Sequence, residues 1–145
     1  MLKPSRKDNM AKKFCQENDV EDFRNTWELY SSAWKKTVRA DRIGLLEKSV
    51  DRGCCYTDPN IVANGYNELI GYMEDFHSRV PGGHFETVNF ISHHGFGLAR
   101  WNMLNQLGKK IGEGYSHLKY TKNGKLMQMT GFFHHQPDKL KTDEL

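Results

Sequence analysis

The stretch Cys54-Cys55-Tyr56-Thr57-Asp58-Pro59, followed by a glycine at Gly65, decides how the rest of the chain is interpreted. Pro59 cannot donate a hydrogen bond to a sheet, and it pushes the residue before it into an extended conformation. The stretch therefore predicts a short strand that stops at Asp58 and holds this carboxylate on a fixed backbone. Cys54 and Cys55 then point to opposite faces of the strand, so one thiol is expected to be buried.

Helical patterns lie on both sides of this strand. Residues 20–38 carry apolar and aromatic side chains at helical spacing, and a shorter helix is predicted from residue 41 to 50, with Asp41 as its cap and Gly53 ending it. A third helix is predicted from residue 67 to 80, because Pro81-Gly82-Gly83 stops any periodic pattern. The buried face of the first helix is expected to be Phe23, Trp27, Tyr30, Trp34 and Val38, and that of the third Leu69, Met73 and Phe76.

From residue 84 onward the pattern changes to alternation, which predicts strands over residues 84–94, 98–107, 111–121 and 125–135. Asn123-Gly124, between the last two, is the strongest hairpin signal in the chain. Helices followed by a run of strands indicate an α+β fold. A curved antiparallel sheet covered by the early helices would enclose a pocket.

The length of 145 residues corresponds to one domain. Basic residues near the start carry much of the net charge of +3, so we predict a flexible tail over residues 1–18, a domain over 19–136 and a second tail over 137–145. The near-neutral remainder argues against nucleic acid as a partner. Because no leader and no membrane-spanning stretch is visible, we expect a cytoplasmic protein without membrane association.

Cysteines and histidines do not predict a metal site. The three cysteines match no ligand spacing. The histidine pairs His93-His94 and His134-His135 are adjacent, and neighbouring residues on a strand point to opposite faces, so neither pair is expected to hold one ion. We therefore expect no metal and no other cofactor.

With these elements in place, the chain resembles the NTF2-like superfamily, and within it the SnoaL-like and ketosteroid-isomerase-like branch. The features that match are the aromatic first helix, Tyr56-Thr57-Asp58-Pro59 with Gly65, and Asn123-Gly124-Lys125 leading to Gly131-Phe132-Phe133. The resemblance covers about residues 20–135. It implies a cone in which three N-terminal helices pack on a strongly curved, mostly antiparallel sheet and enclose a pocket.

The resemblance also implies site residues. Asp58 matches the general base of ketosteroid isomerase, whereas the oxyanion-binding tyrosine and acid of that enzyme fall on Trp34 and Ser116, which argues against steroid isomerisation. Tyr30, one turn before Trp34, and Tyr56 are the phenols expected to act with Asp58. The expected substrate-binding residues are Trp34, Met73, Trp101, Met103, Ser116, Met129 and Phe133.

These residues predict an enzyme that transfers protons without a cofactor, of isomerase, cyclase or dehydratase type, on a hydrophobic ligand in an enclosed pocket. A non-catalytic module that binds a ligand or a protein is the alternative, because the fold serves both purposes. For Asp58 itself, the alternative is that its carboxylate only accepts backbone N–H groups in the turn at Asn60 and Ile61.

The outer face of the sheet is the predicted subunit interface. It combines aromatic and polar side chains, as interfaces do, and the resemblance implies dimers built on this face. The chain is therefore expected to form a homodimer. The residues expected on this face are Arg100, Asn102, Leu104, Tyr115, His117, Lys119, Gln128, Thr130, Phe132 and His134.

Overall fold

The computed structural model describes residues 22–134, so the two predicted tails and the end residues of the predicted domain lie outside the described part. Three helices occur in this part of the chain: α1 over residues 22–33, α2 over Arg39–Ser49 and α3 over Gly65–Arg79. None of the described helices is long and apolar enough to cross a membrane.

A single six-stranded sheet packs against the helices, with the order β2-β1-β6-β5-β4-β3 in the described residues. Neighbouring strands are antiparallel, except that β1 and β6 run parallel. The predicted α+β class, with three helices and a mostly antiparallel sheet, is confirmed. The strands are β1 (Val50–Asp58), β2 (Ile61–Asn64), β3 (His84–His93), β4 (Phe96–Leu104), β5 (Lys110–Tyr120) and β6 (Leu126–Phe132).

Helices α2 and α3 each begin two residues earlier than predicted, and the ends of α1 and α2 also differ from the prediction. Helix α1 stops before Trp34, whose N–H donates to the Ser31 carbonyl in a tightened last turn, and Val38 is 55% exposed just before α2. Helix α2 ends at Ser49 because β1 already begins at Val50, so Gly53 lies inside the strand. The helical spacing in the sequence had placed residues of α1 and of the segment after it on one predicted helix face.

Strand β2 was not predicted, since its four residues are too few to show alternation. It follows the turn at Pro59-Asn60 and pairs with the end of β1, where Asp58 lies opposite Ile61. Helix α3 then begins at Gly65, which takes the left-handed φ of 77° that favours glycine. The Asp-Pro turn is thus followed by β2 and then by α3, the helix that faces the site.

Alternation along the strands places one set of side chains against the helices. On β5, Ser116, Leu118 and Tyr120 are buried, whereas His117 and Lys119 between them are exposed. Helix α1 is attached to this inner face, because the Tyr120 hydroxyl donates to the Phe23 carbonyl at 2.8 Å and the two rings stack. Each large apolar side chain buried in this way contributes about 1.5–3 kcal/mol.

A buried arginine connects α2 with α3. Arg42, 2% exposed, donates from Nη2 to His77 Nδ1 at 3.0 Å, and His77 Nε2 donates to the Gly83 carbonyl at 3.1 Å. Since the guanidinium only donates and the carbonyl only accepts, these partners select the Nε2–H tautomer of His77. The contacts fix α3 over the sheet.

The outer face of the sheet exposes apolar side chains on neighbouring strands. Tyr115 and Phe132 are direct cross-strand partners and are 45% and 56% exposed. Leu98 and Phe96 on β4 share their face. An apolar surface of this kind is the feature on which the predicted homodimer depends.

Replacing Phe132 with aspartate is expected to convert the dimer into monomers, because an unpaired charge would be buried at the interface. Light scattering coupled to size exclusion measures the mass of the wild-type chain and of the variant. Lys36→Asp, on the exposed connection between α1 and α2, serves as the control and should leave the mass unchanged. A monomeric wild-type chain would show that the predicted dimer is wrong.

Candidate active site

A cavity of about 650 Å3 lies between the helices and the inner face of the sheet. Its volume is in the range typical of sites for small organic ligands. Aromatic rings from every layer of the fold form most of its wall. They belong to Trp27, Tyr30, Trp34, Tyr56, Tyr72, Phe76, Phe85, Trp101 and Phe133.

Asp58 lies on this wall and accepts three hydrogen bonds. The hydroxyls of Tyr56 and Tyr72 both donate to its Oδ2, at 2.6 and 2.7 Å. The backbone N–H of Asn60 donates to its Oδ1 at 2.8 Å. The carboxylate is therefore held by a strand, a helix and a turn at once.

Local sequence explains how these groups meet. Tyr56 and Asp58 lie two positions apart on β1 and so face the same side of the sheet. Tyr72 lies one turn after Leu69 and one turn before Phe76, on the buried face of α3. The three side chains converge because α3, which follows β2, packs against β1.

A glycine on the neighbouring strand leaves space for this group. A Cβ atom on Gly131 of β6 would lie 3.3 Å from the Asp58 Cβ and 3.5 Å from the Tyr56 hydroxyl. The first distance is tighter than ordinary van der Waals contact, so a larger residue would displace the carboxylate. Gly131 is thus part of the geometry of the site.

Both phenols that hold Asp58 stay protonated at neutral pH. Burial raises the pKa of Tyr72 to about 12, and the hydrogen bond to Asp58 adds to this shift. Burial also raises the pKa of Tyr56 well above its ordinary value, with further contributions from Tyr30 and Asp58. Burial raises the pKa of Tyr30 as well. All three phenols therefore remain hydrogen-bond donors.

The lone pairs of the Asp58 carboxylate show how many further hydrogen bonds or protons it can accept. Each carboxylate oxygen accepts about two hydrogen bonds, so the two phenols occupy Oδ2. Oδ1 accepts only from Asn60 among the described residues and keeps one lone pair. The turn role expected as the alternative for this residue is thus present, through Asn60, and it leaves capacity to accept a proton.

Most of the other predicted site residues line the cavity, namely Tyr30, Trp34, Trp101, Met103, Ser116 and Phe133. The Trp34 ring packs 5.9 Å from the Tyr56 ring and 5.8 Å from the Tyr72 ring, between centroids. Trp101 donates from Nε1 to Ser116 Oγ at 3.0 Å, so Ser116 acts as an acceptor and retains its own O–H for donation.

The predicted placement of Met73 and Met129 at the cavity is corrected, because both side chains lie in the core and not at the cavity wall. They are 0% and 1% exposed, and Met129 is opposite Leu118 and Tyr56 in the strand register. A side chain on the inner face of a helix or strand does not reach the cavity if neighbouring parts of the protein already cover that side chain. His134 is the opposite correction, since it lines the cavity although it was placed on the outer face. Strand β6 ends at Phe132, and the alternation ends with it.

Tyr72 and Phe85 line the cavity although they were not among the predicted site residues. The position of Tyr72 between Leu69 and Phe76 on the buried helix face was the available signal. Phe85 stacks on Phe76 with ring centroids 5.3 Å apart. Phe76 lies on α3 and Phe85 lies on β3, so no periodicity within a single helix or strand could have linked them.

The described residues hold no group of three or more side chains suited to a metal ion. His93 and His94 nevertheless meet, with 3.3 Å between their Nδ1 atoms. The expectation that this pair diverges was wrong, because His94 is in a turn with a φ of 50° rather than on the strand.

Comparison with known proteins identifies the fold. No protein-family model and no curated protein sequence matches the chain. A protein from Agrobacterium tumefaciens classed as an isomerase of the SnoaL-like family matches with a TM-score of 0.73 and 18% identity, over 80% of this chain and 100% of that one. A SnoaL-like polyketide cyclase from Jannaschia matches with a TM-score of 0.66 and 11% identity, over 86% and 90% of the two chains.

A third solved structure identifies the fold as NTF2-like. An NTF2-like protein from Cytophaga hutchinsonii matches with a TM-score of 0.60 and 12% identity, over 82% of this chain and 94% of that one. Identities this low show a common fold and carry no information on the reaction. The chain has the NTF2-like fold, as its motifs predicted.

Gly114→Ala is expected to destabilise the protein by about 1–3 kcal/mol, because it overpacks the wall beneath Trp101. The new Cβ would lie 2.6 Å from the Trp101 ring and 2.7 Å from the Phe132 carbonyl oxygen. Gly112→Ala on the same strand is the matched control, since its Cβ would meet Met103 at an ordinary 3.7 Å. Urea unfolding measures both variants. Equal stabilities would show that Trp101 is not held against Gly114.

Alkaline pH is expected to destabilise the fold. A phenol with a raised pKa keeps its proton in the folded state while the unfolded state loses it, so stability falls above the ordinary value of 10.0 and up to the folded value, about 12 for Tyr72. Each such phenol contributes a slope of about 1.4 kcal/mol per pH unit. Urea unfolding between pH 9 and 12 should therefore give a shallower slope for Tyr72→Phe than for the wild type. An unchanged slope would contradict a buried, protonated Tyr72.

Proposed function

We propose that the chain is a cofactor-independent enzyme of the SnoaL-like type that moves a proton on a hydrophobic ring compound bound in the cavity. One observation carries this proposal: Asp58 lies at the wall of an aromatic cavity with its Oδ2 held by two phenols, and one lone pair of its Oδ1 has no partner among residues 22–134. A carboxylate held in this way is ready to act as a base on a ligand in the cavity.

In the proposed step, Asp58 Oδ1 removes a proton from a carbon atom of the ligand. The electron pair of the broken C–H bond moves into a neighbouring electron-withdrawing group, and Asp58 later returns the proton to the same or another atom. Isomerisation, cyclisation and dehydration all contain this step, so the geometry supports the step rather than one of the three outcomes.

The two phenols position the base. Tyr56 and Tyr72 both donate to Oδ2, which fixes the rotation of the carboxylate and directs its remaining lone pair. Asn60 supports the same arrangement, because its side-chain amide donates to the Tyr72 hydroxyl at 3.4 Å. Fixed geometry of this kind removes an orientation cost from the reaction.

Charge that develops on the ligand has two hydroxyl donors within the wall. Ser116 retains its O–H after accepting from Trp101, and Tyr30 contributes a buried phenol. Both are neutral donors, so they stabilise an oxyanion less than a protonated acid would. The SnoaL-like isomerase and polyketide cyclase matched by fold are consistent with this class of chemistry.

Asp58→Asn is expected to slow proton exchange on a bound carbon acid by about a hundredfold or more, the usual contribution of a general base. The probe is 2-tetralone, a hydrophobic ring ketone, and NMR follows the loss of its α-protons in D2O with and without protein. Asp51→Asn at the other end of β1 is the control, because it makes the same change of charge outside the cavity.

Thermal unfolding of both variants checks that the fold is retained. Acceleration by the wild type and by Asp51→Asn, lost in Asp58→Asn, supports the proposal. Binding of 2-tetralone with no acceleration, or acceleration that survives Asp58→Asn, contradicts it and favours a module that only binds its ligand.

A further inference from the structure

The cavity has more carboxylates than cations. Asp58, Asp75 and Glu113 line it, together with the guanidinium of Arg79. Arg79 is already engaged, since its Nε and Nη2 both lie 3.2 Å from Asp75 Oδ2. Glu113 is paired with Lys110 at 2.6 Å. The positive charges of Arg79 and Lys110 are therefore already paired with carboxylates at the exposed rim of the cavity, where solvent also screens them.

Asp58 differs from the two rim carboxylates. It forms no ion pair with any lysine, arginine or histidine of residues 22–134. Its partners in this range are the two phenols and a backbone N–H, none of which carries a charge. Asp58 is partly buried, and a carboxylate in such a position without a cationic partner gains from an opposite charge that a ligand can supply.

The rings beside Asp58 favour the same kind of ligand. Trp34 packs against Tyr56 and Tyr72, the two residues that hold the carboxylate, with ring centroids 5.9 and 5.8 Å away. Faces of aromatic rings carry negative electrostatic potential and attract cations, tryptophan most strongly. Aromatic faces and a carboxylate thus act together on one region of the cavity.

Donors that would attract an anion are largely occupied. The hydroxyls of Tyr56 and Tyr72 point to Asp58, and the indole N–H of Trp101 points to Ser116. The indole N–H of Trp27, also on the wall, donates to Thr87 Oγ1 at 2.8 Å. A negatively charged ligand would find few donors near Asp58 and would be repelled by it.

We infer that the ligand of this cavity is a hydrophobic ring compound that carries a positively charged nitrogen, a tertiary or quaternary ammonium group. This inference rests on the proposed function for the choice of site and names its substrate class. The ammonium lies among the rings, within Coulombic range of Asp58. The electron pair of the broken C–H bond still moves into the electron-withdrawing group of the ligand, and the positive charge nearby adds to the acidity of that C–H bond where the oxyanion donors are weak.

The test compares three probes of one shape. Benzyltrimethylammonium is the cation, neopentylbenzene is its neutral carbon isostere, and phenylmethanesulfonate is an anion of similar size. All three tryptophans of the chain line the cavity, so their fluorescence reports occupancy without a label. We expect the cation to bind at least tenfold more tightly than the neutral isostere and the anion to bind weakest.

Asp58→Asn should remove this preference by weakening the cation at least tenfold while changing the neutral isostere less than twofold. Asp51→Asn, which changes the net charge equally outside the cavity, should retain the wild-type preference. Equal binding of cation and isostere by the wild type, tightest binding of the sulfonate, or no binding of the cation overturns the inference, and none of these results depends on a variant folding.

The two proposals fail separately. A cation preference that depends on Asp58, without proton exchange on a carbon acid, supports this inference and contradicts the proposed reaction. Proton exchange that depends on Asp58, without a cation preference, supports the reaction and overturns the inferred ligand class.

Discussion

Two hydrogen bonds from phenols to one carboxylate oxygen are the contacts on which the site depends. Tyr56 brings one from β1 and Tyr72 brings the other from α3, so a single atom of Asp58 connects the sheet to the helix that covers it. Hydrogen bonds to a charged acceptor are about twice as strong as neutral ones, and a buried donor left without its partner is costly. The position of α3 over the cavity and the orientation of the Asp58 carboxylate are therefore one property of the fold. A substitution that removes either phenol affects both.

The cavity stays open because large aromatic rings face each other across it. Glycines on the sheet leave room for side chains of the neighbouring strand to lie close to the backbone. Trp101 lies against Gly114 on the next strand, and Asp58 lies against Gly131. Rings that meet edge to face, such as Trp34 with Phe76 and with Phe85, gain contact energy without filling the space between them. Rigid rings also have few rotamers with which to collapse into a void. Glycines on the sheet and aromatic side chains from both the helices and the sheet thus keep a cavity in a chain of this size.

The sequence predicted which residues share a face, but not how deep each one lies or what it meets. Period two along β1 was sufficient to join Tyr56 with Asp58, and period two on β5 placed Ser116 on the inner face. Tyr72 was missed because its partner belongs to another element, and Met73 and Met129 were misplaced because periodicity does not record what covers a face. The end of α1 was misjudged for a related reason, since Val38 continues the helical spacing although the backbone has already turned at Trp34. Patterns within one element were reliable, and contacts between elements required the structure.

The NTF2-like fold supplies the cavity, and the side chains on its wall decide what chemistry it supports. Where the ketosteroid isomerase resemblance implies an oxyanion-binding tyrosine and acid, this chain has Trp34 and Ser116, and the phenols that are present donate to the base instead. If Asp58 is the base that we propose, it depends on a carbon that the ligand itself activates, because the oxyanion donors are weak. The cationic group inferred for the ligand would add to that activation and would compensate the carboxylate that has no cationic partner in the described part of the chain. The departure from the isomerase pattern, the arrangement of the phenols and the charge of the cavity therefore have one common explanation.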